Sequence, residues 1–123
     1  MVTIDVAALL DDEGDEVLLE ISNNNIKLYA FCYPFISKRS KQDKVTLYAL
    51  FASNIGPSNS IQPPIRTNTS YFSQRIYAKV VDVKERCVRL GDINIILDTP
   101  IDSSFLPGSV IVFDVARLDY DDR

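Results

Sequence analysis

Hydrophobic and polar residues alternate with a period of two along most of this chain, which predicts β-strands with one buried face. Ile93, Ile95 and Leu97 follow this pattern clearly, and no stretch of twelve or more residues shows the period of a helix. The predicted strands cover residues 2–10, 17–21, 26–35, 45–52, 76–83, 88–90, 93–97 and 110–118. About 7–8 short strands at this spacing predict an all-β fold, a single small barrel or sandwich.

The chain is predicted to form one β domain over residues 1–123. Hydrophobic residues make up 46% of it, enough for one core, and the 24% of charged residues is typical of a globular protein. Residues 53–70 hold many turn formers, among them Gly56, Pro57, Pro63 and Pro64, and show no regular period. A division there would leave two units of roughly 50 residues, which rarely build a core alone. We therefore interpret 53–70 as a long irregular connection inside the domain.

The C-terminal half resembles the closing strands of an OB-type barrel. Between Tyr77 and Tyr120 the pattern predicts a strand, a hairpin, another strand, a turn at Pro107 and Gly108, and a final strand. The final strand reads Gly-Ser-Val-Ile-Val-Phe-Asp-Val. The resemblance covers about a third of the chain and contains no specific motif. It implies an OB-like arrangement of these strands.

The net charge of −4 favours a cationic partner. Residues 1–61 carry five basic and eight acidic side chains, whereas residues 62–123 carry eight basic and nine acidic ones, so the acid excess lies mainly in the first half. A negative field opposes nucleic acid and anionic membranes. No stretch approaches the ~18 apolar residues of a membrane span. We therefore expect a basic protein as partner, with nucleic acid disfavoured and no membrane association.

The chain is predicted to be cytoplasmic. Asp5, Asp11 and Asp12 interrupt any apolar leader segment at the start, so no export signal is expected. Cys32 and Cys87 are the only cysteines, and each lies in an apolar, strand-like run. Because reducing compartments keep thiols unpaired, we expect two buried free thiols, and a disulfide only if their strands are neighbours.

The residue types present exclude most catalytic and metal sites. The chain has no histidine, which excludes histidine-based triads and Cys–His nucleophile pairs. Two cysteines alone cannot complete a zinc site, and the four glycines are isolated and form no phosphate loop. Pairs such as Asp98 with Asp102, or Asp82 with Asp92, lie at strand ends and turns, as surface acids normally do. No catalytic residue, metal or cofactor is predicted, and an enzyme using carboxylates alone is the weakest alternative.

Residues 26–35 place an aromatic row on one face of a predicted strand, and a basic loop follows. The row consists of Tyr29, Phe31, Tyr33 and Phe35, and the loop carries Lys38, Arg39, Lys41 and Lys44. Rings that stack on bases beside cations that contact phosphates are what a groove for single-stranded nucleic acid requires. The simpler interpretation buries the rings on a strand covered on both faces and leaves the cations in a solvated loop. An exposed row would serve equally as a homodimer interface.

Acidic residues cluster in one turn and in the C-terminal tail, and they form the predicted partner-binding set. Its members are Asp11, Asp12, Glu13, Asp15, Glu16, Asp119, Asp121 and Asp122. An EF-hand interpretation of the turn fails, because Leu9 stands where a carboxylate ligand is needed and neither flank is helical. Clustered carboxylates can steer a cationic partner onto a surface, while ordinary solubilising charge is the alternative.

The predicted function is a non-enzymatic protein-binding domain. In size and charge alone the chain resembles bacterial immunity proteins, which are stoichiometric inhibitors that neutralise a basic toxin or enzyme. The alternative from a different class is an OB-like module that binds single-stranded nucleic acid through the aromatic row.

Overall fold

A computed structural model describes residues 1–36 and 40–122. These residues form twelve β-strands and no helix, so the predicted all-β class is confirmed. The strands are β1 Val2–Leu9, β2 Val17–Asn23, β3 Ile26–Cys32, β4 Lys41–Gln42, β5 Val45–Leu50, β6 Ser53–Pro57, β7 Ile65–Arg66, β8 Gln74–Asp82, β9 Cys87–Leu90, β10 Ile93–Leu97, β11 Val110–Val115 and β12 Arg117–Tyr120. No helix in the described residues has the length and apolar character needed to cross a membrane.

The strands belong to one mixed sheet in the order β4-β1-β2-β3-β12-β5-β10-β9-β8-β11-β6, with β7 paired to β8. Two pairings are parallel, β5 with β10 and β3 with β12, and the others are antiparallel. The order ends at two edges, β4 and β6, so the sheet is open, and the barrel form of the predicted barrel or sandwich is wrong. The OB-like arrangement expected between Tyr77 and Tyr120 is not confirmed.

The predicted number of strands is too low because the additional strands are short or irregular. Lys41–Gln42 and Ile65–Arg66 have two residues each, too few for alternation to be visible. Ser53–Pro57 contains a glycine and a proline, and it forms an edge strand, where proline is tolerated. Strands β6 and β7 therefore lie inside the connection predicted as irregular at 53–70. The predicted strand 110–118 divides at Ala116 into β11 and β12.

The core consists of the inward-facing residues of nearly every long strand. In β10, for example, Ile93, Ile95 and Leu97 are buried and the residues between them are half-buried. Phe113 on β11 is the largest fully buried side chain. These residues form a single cluster, and no helix in the described chain covers it. The sheet must therefore curve so that the apolar face of the half that contains β3 meets the apolar face of the half that contains β8.

Gln74 joins these two halves through its side chain. It lies at the start of β8 and is 1% exposed. Its amide group donates to the Tyr29 carbonyl oxygen at 2.8 Å and accepts from the Tyr29 backbone N–H at 3.0 Å. The side chain thus makes the two hydrogen bonds that a neighbouring strand would make to β3.

Asp98 holds the turn between β5 and β6. Its carboxylate accepts hydrogen bonds from the backbone N–H groups of Phe51 at 2.7 Å and Ala52 at 3.0 Å, and from the Thr99 hydroxyl at 3.3 Å. Phe51 has a φ of 55°, in the left-handed region that favours glycine. Burial raises the pKa of Asp98, but the donors from Ala52, Phe51 and Thr99 outweigh it, so the pKa lies below its ordinary value.

Replacing Asp98 with alanine is expected to lower the free energy of unfolding by about 1–2 kcal/mol at pH 7, because two backbone donors lose their acceptor. A carboxylate with a depressed folded-state pKa adds stability above its unfolded pKa of about 4, and this contribution is lost as the pH falls through the folded value. Urea unfolding of wild type and D98A at several pH values measures the difference, which should narrow below about pH 4. A difference independent of pH would mean that the charge contributes nothing.

Candidate functional site

The structure brings the acidic turn and the acidic tail to one end of the molecule. The turn, residues 10–16, connects β1 with β2, and the tail follows β12. The Phe35 backbone N–H donates to the Asp15 carbonyl oxygen at 3.0 Å, and the Ile36 N–H donates to the Asp122 carboxylate at 2.8 Å. Because Phe35 and Ile36 are consecutive, both acidic segments lie against the same short stretch. We name the eight predicted partner-binding residues together the acidic end.

The acidic turn is held by its own hydrogen bonds. The Asp11 carboxylate accepts from the backbone N–H groups of Asp15 at 3.0 Å and Glu16 at 3.3 Å. Ligand oxygens of Asp11, Glu13 and Asp15 lie within 4.8 Å of one another. Three carboxylates on an exposed turn fall short of the six to eight oxygen ligands that calcium takes. The cluster is therefore interpreted as a solvated turn that concentrates negative charge.

The aromatic row and the acidic tail, predicted as separate features, share one pocket. Phe31 on β3 pairs with Asp119 on β12, which pairs with Tyr48 on β5. Residues in register on adjacent strands point to the same face, so these three side chains lie side by side. The pocket has a volume of about 210 Å³ and is lined by Phe31, Tyr33, Tyr48, Asp119, Tyr120 and Asp121. We name it the aromatic–acidic pocket.

The rings of this pocket differ in their exposure to solvent. Tyr33 is 59% exposed and Tyr48 is 46% exposed. Tyr120 is buried, and its hydroxyl accepts a hydrogen bond from the Gln42 amide at 2.7 Å. Tyr120 therefore forms a fixed wall, while Tyr33 and Tyr48 present open ring surface beside the carboxylates.

The guanidinium group of Arg117 already contacts two residues that line this pocket, Phe31 and Asp119. Arg117 lies over the Phe31 ring, with its central carbon 4.4 Å from the ring centroid. The same group makes two hydrogen bonds to the Asp119 carboxylate, at 2.6 and 3.0 Å. The contact shows that an aromatic face and a carboxylate of this region hold a cation between them.

The remaining members of the aromatic row are largely covered. Arg66 lies 4.7 Å from the Tyr29 ring centroid, and the Phe72 ring meets Phe31 edge to face at 5.9 Å. Phe35 packs against the core. Tyr29 and Phe31 are thus half-buried on their face of β3, and the cover comes from the stretch around Arg66 and Phe72.

Within the described residues, the cations that contact rings of the aromatic row are Arg66 and Arg117, and neither belongs to the predicted basic loop. Lys41 lies on β4, which β1 and β2 separate from β3 in the strand order. Lys44 precedes β5 and is exposed. Lys38 and Arg39 lie outside the described residues, so their part of the prediction stays a prediction.

Several residues of the site have no signal in the local sequence. Tyr48 alternates normally with buried residues of β5, and nothing near it in the chain marks it as a site residue. Arg117 and Tyr120 are likewise ordinary members of the last strand. Their role follows from the parallel pairing of β3 with β12, which joins segments from opposite ends of the sequence.

The carboxylates considered as catalytic pairs each accept hydrogen bonds from a different part of the backbone or from the N-terminus. Asp98 binds the turn at Phe51, Asp102 accepts from the Ser104 N–H at 2.8 Å, and Asp82 accepts from the Glu85 N–H at 3.1 Å. Asp92 accepts from the N-terminal ammonium at 3.0 Å, which holds the pKa of Asp92 below its ordinary value. The Ser104 N–H similarly lowers the pKa of Asp102. A general acid needs the opposite shift.

Comparison with known proteins finds no match: no family model fits the chain, and no curated protein and no solved structure matches it. The function is therefore inferred from the geometry and charge of the acidic end and its pocket.

Proposed function

We propose that this chain is a non-enzymatic protein-binding domain that takes a basic partner on its acidic end. The observation that carries the proposal is the aromatic–acidic pocket, where exposed rings and carboxylates from distant parts of the chain converge. Protein interfaces place aromatic anchors at the centre and polar or charged groups at the rim. Tyr33, Tyr48 and the exposed Ile36 provide anchors, and the acidic turn and tail provide the rim.

Binding proceeds through two effects of different range. The carboxylates of the acidic end attract a cationic surface over about one Debye length, roughly 8–10 Å at moderate salt. At contact, one lysine or arginine side chain of the partner enters the aromatic–acidic pocket and packs on the exposed rings of Tyr33 and Tyr48, next to the existing pair of Arg117 and Asp119. The pocket, about 210 Å³, is smaller than the ~300–1,000 Å³ of typical small-molecule sites, so it suits one side chain. A stoichiometric inhibitor of a basic toxin or enzyme would act in this way.

Neutralising part of the acidic turn is expected to weaken the complex. The variant D12N/E13Q/D15N keeps the Asp11 carboxylate that holds the turn, and removes three exposed charges. The partner is first captured from extracts of the source cell with the wild-type domain, and its affinity is then measured by calorimetry at low and moderate salt. We expect at least a tenfold loss of affinity and a weaker dependence on salt.

The matched control is D5N/D43N/E85Q, which removes the same charge from exposed positions elsewhere on the chain. It should bind within about twofold of wild type at moderate salt, where distant charges are screened. If both variants lose the same affinity, the effect comes from the net charge of the chain and not from the acidic turn. A failure to capture any stoichiometric basic protein would remove the proposal itself.

The contacts of the aromatic row support nucleic-acid binding less well than protein binding. The rings of Tyr29 and Phe31 already carry Arg66 and Arg117, so a base can stack there only by displacing a guanidinium group. Titration with a single-stranded oligonucleotide at low salt separates the two functions. Salt-sensitive binding that is lost on replacing Tyr29 with alanine would favour the alternative.

A further inference from the structure

Two cations lie side by side on the hairpin formed by β8 and β9. Lys79 is the register partner of Arg89, and both are exposed. Like charges directly opposite one another destabilise a sheet. Within residues 1–36 and 40–122 neither side chain makes an ion pair. Arg89 donates from Nε to the Asn94 amide oxygen at 2.8 Å, and this uncharged partner leaves the repulsion uncompensated.

These two cations border a pocket of about 420 Å³. Its wall is mainly apolar and is formed by Ile26, Ile61, Val80, Val81 and Leu90. The volume falls in the ~300–1,000 Å³ range of small-molecule sites, unlike that of the aromatic–acidic pocket. An apolar wall with two cations at its border matches a ligand that has an apolar body and one negative end.

The acidic residues nearest to this pocket along the chain are engaged elsewhere. Asp82, at the end of β8, accepts from the Glu85 backbone N–H at 3.1 Å. Asp92 accepts from the N-terminal ammonium at 3.0 Å and from the Asn23 amide at 3.2 Å. Neither residue lines the pocket. The charged residues that line the pocket are therefore both cations, although the chain as a whole is negative.

We propose that this pocket binds a carboxylate attached to an apolar group. The carboxylate lies between Lys79 and Arg89, where ammonium and guanidinium donors make charge-assisted hydrogen bonds. The apolar group packs against Ile26 and Ile61. The same chemistry occurs in a free short-chain carboxylic acid and in a peptide that ends in an apolar residue with its C-terminal carboxylate. This site is distinct from the acidic end and does not depend on the function proposed for it.

The test uses probes with similar alkyl chains and a negative, a neutral or a positive head group. The isotope-labelled protein is titrated with hexanoate, hexanol and hexylammonium, and the backbone NMR signals of residues 79–91 are followed. Hexanoate should shift these signals at concentrations where the other two do not. A short peptide ending in leucine, as the free acid and as the amide, identifies the source: tighter binding of the free-acid peptide than of hexanoate indicates a protein C-terminus, and the reverse indicates a free acid.

The double variant K79Q/R89Q should bind hexanoate about 10–100-fold more weakly than wild type, because two charge-assisted hydrogen bonds are lost. The control K41Q/K84Q removes the same charge from exposed positions that do not line the pocket and should leave the affinity unchanged. K79Q alone should raise the melting temperature by about 1–2 °C while weakening binding, since it relieves the repulsion with Arg89. Equal binding of all three probes, no hexanoate shift up to its solubility, or equal affinities of the two double variants would overturn the proposal.

Discussion

Replacing Gln74 with alanine is expected to lower the free energy of unfolding by about 2–5 kcal/mol and the melting temperature by roughly 8–20 °C. The buried Gln74 amide holds both the N–H and the carbonyl of Tyr29, at 3.0 and 2.8 Å. Alanine leaves both backbone groups without these partners and creates a cavity between β3 and β8. Thermal and urea unfolding followed by circular dichroism measure the loss.

The control for this variant is Gln62→Ala. Gln62 is exposed and donates to the nearby Ser60 hydroxyl, so its replacement should change stability by less than about 0.5 kcal/mol. If Q74A and Q62A melt at the same temperature, the side-chain link to β3 contributes nothing, and the coupling of the two halves of the sheet must lie elsewhere.

Gln74→Glu tests the two hydrogen bonds of the Gln74 amide separately, because at neutral pH a carboxylate keeps the acceptor and lacks the donor. The carboxylate would still accept from the Tyr29 N–H, but it would face the Tyr29 carbonyl oxygen, so burial and repulsion should raise its pKa in the folded state. Below the unfolded pKa of about 4.3 the acid is neutral in both states and can donate, and the penalty grows as the pH rises through the folded value. The stability deficit of Q74E relative to wild type should therefore shrink on acidification, whereas that of Q74A should not.

The strands with clear alternation are predictable from the sequence because the period of two is a local signal. It places seven observed strands within about three residues of their bounds, namely β1, β2, β3, β5, β8, β9 and β10, and the predicted strand 110–118 covers β11 and part of β12. The parallel pairings have no such signal. Phe31 and Asp119 become neighbours only because β12 inserts between β3 and β5, and the spacing of residues along either strand does not contain that information.

The candidate site shows the same division between local and long-range information. Clusters of acidic residues are visible in composition, yet their convergence depends on the backbone N–H groups of Phe35 and Ile36, which bind Asp15 and Asp122. The aromatic row is also visible, but its cover comes from a stretch whose composition predicts an irregular connection. Arg66 and Phe72 lie in or just after that stretch, and they turn half of the row into packed structure.

Cys32 is expected to react with alkylating reagents at least about 100-fold more slowly than an unfolded cysteine at pH 8. Burial, and then the negative charges of Asp122, Asp121 and Asp119, raise the pKa of Cys32 to about 11. At pH 8 the thiolate fraction is then about 10⁻³, against about 10⁻¹ for the ordinary value of 9.0. The higher nucleophilicity of a thiolate with a raised pKa recovers roughly tenfold of this hundredfold difference. Burial of the Cys32 side chain slows the reaction further, because it excludes the reagent.

Mass spectrometry of the protein after timed treatment with iodoacetamide gives the rate at each cysteine. Both cysteines are free. Burial raises the pKa of Cys87 as well, but that side chain is only half-buried and the nearby Arg89 opposes the shift, so Cys87 should label first. Full labelling in guanidinium shows that neither thiol is blocked. Labelling of Cys32 in the native protein as fast as in guanidinium would contradict its burial.

The same measurement tests the position of the acidic tail. Since Asp121 and Asp122 disfavour the Cys32 thiolate, D121N/D122N should speed its labelling by about three- to tenfold, and the amide oxygen introduced by D122N can still accept from the Ile36 N–H. The control D12N/E13Q removes the same charge from the turn, whose acids are not among the groups that shift Cys32, and should leave the rate unchanged. Identical rates in the two variants would mean that the tail does not lie beside β3. The aromatic–acidic pocket would then lose Asp121, and with it much of the charge that selects a cationic partner.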